Sequence, residues 1–125
     1  MKLAIVGSRE FNDYIKFKNV IIEYFDVPKI TKIISGGARG VDTLAERFAD
    51  ENDISTLIFK PDWNKHGKSA GFIRNKDIVK SADVVIAVWN GISKGTKHSI
   101  NICNENNKPL YIYNYVEETI TLYNQ

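Results

Sequence analysis

One cysteine, Cys103, stands among 125 residues, which excludes an internal disulfide framework and a cysteine-rich zinc site. The only histidines are His66 and His98, too few to assemble a His/Cys metal cluster, and no metal is expected. No apolar run exceeds the six residues Val84–Trp89, well short of a membrane span. The N-terminal stretch stops being apolar at Gly7, too soon for a signal peptide, so a cytoplasmic chain is expected. A formal charge of +2 offers no broad basic surface, and a nucleic-acid partner is not expected. With 43% hydrophobic and 26% charged residues, the composition is that of one ordinary globular domain rather than a disordered segment.

Arginine is also scarce. Thirteen lysines accompany only Arg9, Arg39, Arg47 and Arg74. Arg9, Arg39 and Arg74 sit beside Gly, Ser or Asn in turn-like segments, whereas Arg47 lies mid-helix and reads as ordinary surface. A guanidinium binds phosphate or carboxylate through a planar fork that lysine cannot copy. That placement is the first functional lead.

What is abundant is alternation. Short apolar runs at Leu3–Val6, Ile30 with Ile33–Ile34, Thr56–Phe59, Asp83–Trp89 and Pro109–Tyr113 read as strands. Stretches with helical spacing lie between them: Tyr14–Phe25, capped by Asp13 and closed by Pro28, then Val41–Asn52, Ser69–Ser81 and Thr96–Asn106. Residues 61–68 and 90–95 read as loops, and residues 113–125 as a tail or short helix. The order predicts an α/β domain spanning residues 1–125: a doubly wound, mainly parallel five-stranded Rossmann-like sheet with helices on both faces. Ligands of such sheets lie beyond the carboxyl ends of the strands.

Four of the five strand ends carry anion-binding residue types. Gly7-Ser8-Arg9 follows the first strand. Ser35-Gly36-Gly37-Ala38-Arg39-Gly40-Val41-Asp42 follows the second, and its glycines leave backbone N–H groups bare where a helix begins. Asp42 suits a ribose hydroxyl, or else satisfies N–H groups of its own first turn. The segment after the third strand contains Trp63, either a small satellite core or a stacking lid over a base. Lys68 and Arg74-Asn75 follow within reach of phosphate. Trp89-Asn90-Gly91 and Gly95-Thr96 follow the fourth strand and open another helix. Neither the dinucleotide G-x-G-x-x-G pattern nor a Walker loop is present.

These segments, with Asp62-Trp63, Gly67-Lys68-x-Ala70-Gly71, Ile73-Arg74-Asn75, Ala82-Asp83 and Trp89-x-Gly91-x-Ser93-x-Gly95-Thr96, resemble the YspA-type, cpYpsA-related branch of the SLOG superfamily. The resemblance covers residues 3–113. It implies a Rossmann-like domain that takes a nucleotide or nucleotide-derived ligand over its glycine turns, as a sensor or sequestering module. NAD- or ADP-ribose-like molecules and nucleoside monophosphates are the classes it suggests, with no further cofactor, and relatives often form homodimers. The superfamily also holds the LOG phosphoribohydrolases and the single-stranded-DNA binder DprA. LOG enzymes carry glutamates after their Gly-Thr pair, and here those positions are His98 and Ser99. Phosphate binding can survive that change, through Arg74 among others, but cleavage of a nucleotide's N-glycosidic bond then needs another carboxylate: Asp42, Asp62 or Glu10. Whether a ligand is hydrolysed or only bound stays open at this point.

Overall fold

The computed structural model describes residues 1–125. Strand β1 (Lys2–Gly7) is apolar on both faces because it lies mid-sheet. It is followed by helix α1 (Tyr14–Tyr24), where the Asp13 side chain accepts from the Lys16 amide at 3.1 Å and so caps the first turn. Strand β2 (Lys32–Ser35), helix α2 (Val41–Glu51) and strand β3 (Ser55–Ile58) continue outward on one side. The chain then crosses through α3 (Trp63–His66) and α4 (Ala70–Ser81) to strand β4 (Val84–Trp89), on the other flank of β1. Helix α5 (Lys94–Glu105) leads to strand β5 (Leu110–Asn114).

The strand order is β3-β2-β1-β4-β5-β6, and the first five strands are parallel. Alternate β-strand residues feed two cores. Leu3, Ile5, Ile33, Val84 and Ile86 pack under α1 and α2 with Phe17 and Phe48. Ala4, Val6, Ile34, Val85 and Ala87 pack under α4 and α5 with Ile78, Val79 and Ile100. Fully burying each large apolar side chain stabilises the fold by roughly 1.5–3 kcal/mol. No helix is long and apolar enough to cross a membrane.

Three expectations need correction. The sheet has six strands, because Thr119–Tyr123 forms β6, antiparallel to β5. The end of the chain is therefore a hairpin, not a tail or helix: the Asn114 carboxamide accepts from the Val116 and Glu117 amides and folds the chain back. Thr119-Ile120-Thr121-Leu122-Tyr123 is β-branched and aromatic, a composition suited to a pleated edge. Second, part of the 61–68 loop is the short helix α3. Asp62 accepts from the Lys65 amide at 3.1 Å, a local cap that periodicity over four residues cannot reveal. Third, α5 begins two residues early, at Lys94. The Asn90 side chain accepts from the Ile92 and Ser93 amides and sets up its entry.

Candidate functional site

In the strand order the chain turns back between β1 and β4, since β1 leads outward to β2 and β4 leads the opposite way to β5. Loops leaving two such strands diverge and open a crevice at their carboxyl ends. A cleft of about 570 Å³ lies there, walled by the turn after β1, the start of α2, α4 and the start of α5. That volume falls within the range usual for small-molecule sites.

Two glycines let the walls close. A Cβ on Gly7 would collide with the Val88 carbonyl and the Val41 side chain, so β1, β4 and α2 meet only through hydrogen there. Gly40, at φ +74°, lies directly against the backbone of Ser8 and Arg9. The turn after β1 and the turn after β2 thereby become one surface.

Within that surface the Ser8 hydroxyl is 2% exposed, borders the cleft and has no hydrogen-bond partner. Backbone N–H groups of Arg39, Gly95 and Thr96 on its wall, and of Gly37 beside it, make no hydrogen bond within the protein. Arg9 and Arg39 reach the same cleft and belong to none of the molecule's ion pairs. Bare amides, an unpartnered hydroxyl and free guanidinium groups together make a surface suited to an oxyanion.

Asp42 stands at its centre. Its carboxylate accepts from the Ala38 amide at 3.0 Å, which holds the glycine turn in shape. Burial pushes its pKa up, opposed by the Ala38 hydrogen bond and the Arg74 charge. The buried Ser35 hydroxyl lies nearby without completing a hydrogen bond of its own. Arg74 is fixed by donating to the Gly36 carbonyl at 2.8 Å and to the Asn75 side chain at 3.0 Å. Burial lowers its pKa, Asp42 raises it and Arg9 lowers it again. The Asn75 side-chain nitrogen lies 3.2 Å from His98 Nδ1 and ties α4 to α5, and burial lowers the pKa of that ring.

The cleft thus brings together Gly7, Ser8, Arg9, Arg39, Asp42, Arg74, Asn75, Asn90, Gly95 and Thr96 of the expected residues. Gly36, Gly37 and Trp63 line an adjoining cleft. The others lie outside both. Gly40 packs beneath the floor and Ser35 is buried at the end of β2. Lys68 is exposed on a single 3₁₀ turn. Trp89 does not wall the site: its ring packs with the α4–α5 core and its Nε1 donates to the Ser93 carbonyl. Gly91 serves the turn that follows, at φ +87°. Ser93 and Ser99 line the cleft but were not among the expected binding residues. Their signal was helical spacing from Thr96, since positions 93, 96 and 99 share one face. Of the carboxylates considered for catalysis, Glu10 and Asp42 line the cleft, whereas Asp62 caps α3. His98 does not line it.

Comparison with known proteins accords with this fold. The model of the YspA, cpYpsA-related SLOG family matches residues 1–66. The gene 61 protein of Mycobacterium phage D29 is 34% identical over 104 residues, covering 78% of this chain and 83% of that protein. DNA processing protein A from Streptococcus pneumoniae has the same fold at a TM-score of 0.72 and 22% identity, over 89% of this chain. The Helicobacter pylori protein of that name, described by its single-stranded DNA binding mode, matches at 0.68 and 24% over 90% of this chain. The chain spans 49% and 64% of those two proteins' lengths.

Proposed function

The chain belongs to the YspA, cpYpsA-related SLOG family, and from that premise we propose that it binds a nucleotide or nucleotide-derived ligand at the carboxyl edge of its sheet. The ligand class is NAD- or ADP-ribose-like or a nucleoside monophosphate, and the role is sensing or sequestration. The observation that carries the reading is the Ser8 hydroxyl, buried and unpartnered in the switch-point cleft. A buried hydroxyl without a hydrogen bond costs about 1–3 kcal/mol, a cost that a ligand oxygen removes. Phosphate oxygens suit Arg9, Arg39 and the bare amides around them. Asp42 suits a ribose hydroxyl.

A heat-shift panel of AMP, ADP-ribose and NAD tests this directly. At least one should raise the melting temperature, and Arg39→Ala should shrink that rise. An unchanged rise in Arg39→Ala would contradict the phosphate assignment. Release of free adenine from AMP would instead establish hydrolysis, with Asp42 or Glu10 as the available carboxylate.

Single-stranded DNA is the second reading. The H. pylori neighbour is described as a single-strand binder, which weighs against the expectation of no nucleic-acid partner. Arg9, Arg39 and the exposed Trp63 on one open cleft favour it here. Oligonucleotide binding whose affinity falls steeply with salt would support it over the first.

A further inference from the structure

The switch-point cleft does not end at its arginines. A second cleft of about 390 Å³ opens beyond them, and Arg9, Ala38, Arg39 and Arg74 are walls of both. The two differ in charge. Glu10 and Asp42 line the inner cleft, whereas no carboxylate lines the outer one. Arg74 is already opposed by Asp42. Arg9 and Arg39 have no such partner, so two uncompensated cations stand at the junction.

The outer cleft also carries an aromatic wall. Trp63 is 56% exposed, although it is the bulkiest side-chain type in the chain. Its ring leans on α4, with Cη2 3.8 Å from where a Cβ on Gly71 would stand. Asp62 fixes the backbone beneath it by capping α3. A large apolar ring held on a rigid base and left open to solvent is a stacking surface more than a core residue.

We propose that the outer cleft is a second subsite, and that the ligand is a two-ring molecule bridged by a diphosphate. The bridge lies at the junction, on Arg9 and Arg39. One nucleoside enters the inner cleft with its ribose near Asp42, and the second ring stacks on Trp63. Two free guanidinium groups match the two charges of a diphosphate, and the acid-free outer wall leaves that charge unopposed. The proposal rests on the nucleotide reading above and narrows it to one ligand shape.

Calorimetric titration of the wild type, Trp63→Ala and Trp63→Phe with AMP, NAD and a short oligo(dT) tests it. NAD should bind the wild type more tightly than AMP. Trp63→Ala should weaken NAD about tenfold, the loss expected for one stacked ring, and leave AMP within about twofold. Trp63→Phe should keep most of the NAD affinity. Equal affinity for AMP and NAD, equal losses for both, or no loss for NAD would each overturn the second subsite while leaving nucleotide binding intact. A Trp63-dependent preference for oligo(dT) would overturn it in favour of a nucleic-acid path. Failure of both AMP and NAD to bind the wild type would remove the nucleotide reading as well.

Discussion

Ser8 and Ser35 carry the buried side-chain hydroxyls that lack partners, and both close the carboxyl ends of strands facing the site. In a fold that satisfies its other buried side chains, the unpartnered Ser8 hydroxyl on the cleft wall marks a surface shaped for something other than stability. Ser8→Ala should therefore separate folding from function. The ligand-free protein should melt no lower, and up to a few degrees higher, because an unsatisfied hydroxyl is gone. Nucleotide affinity should fall several-fold in the same variant, as titration would measure. Asp42 obeys the same logic with charge. Its raised pKa means that the folded chain holds the proton more tightly than the unfolded chain does. This residue's contribution to stability is thus complete below about pH 4 and is lost as pH rises through its folded pKa. Asp42→Asn should be more stable than the wild type at neutral pH, with the difference vanishing in acid. Thermal melts across that range check the sign.

At the scale of elements, the decisive pieces are turns. Gly40 joins the turn after β2 to the turn after β1, and its φ of +74° with ψ −127° is open only to glycine. Gly40→Ala should cost about 2–4 kcal/mol through strain and collision with the Arg9 backbone, and chemical denaturation would read it. Residual folded protein should no longer bind nucleotide. These turns were legible in the sequence because glycine, serine and arginine clustered after apolar runs. The helices flanking the sheet were legible from spacing, to within two residues at most ends. What escaped was local hydrogen bonding. The Asn114 turn and β6, the Asp62 cap of α3 and the Asn90 entry to α5 each depend on one short side chain reaching nearby amides. Arg47 escaped for a related reason. It is not plain surface but lies 3.8 Å over the Tyr14 ring and pairs with Glu51, which also accepts from the Tyr14 hydroxyl and so joins α1 to α2. Periodicity sees none of these, because they are fixed by side-chain reach rather than by face. Trp89 was misplaced because a tryptophan at a strand end can point to the site or to the core, and here the core under α4 and α5 takes it.

Across the whole molecule, doubly wound topology decides which turns meet. Arg9, Arg39 and Arg74 are far apart in sequence, yet the return of the chain across β1 brings all three to one cleft. The near-neutral total of +2 therefore conceals a concentrated cationic site at one sheet edge. The amino ends of the strands lie at the far side of the sheet from the cleft, so a ligand bound there should leave them undisturbed. Amide chemical-shift mapping by NMR during titration with NAD tests this most directly. Shifts should concentrate at residues 7–10, 36–42 and 93–99, with Trp63 moving and the amino ends of β1, β2 and β4 still. Shifts scattered over α1 or the β5–β6 hairpin, or none at saturating NAD, would contradict it.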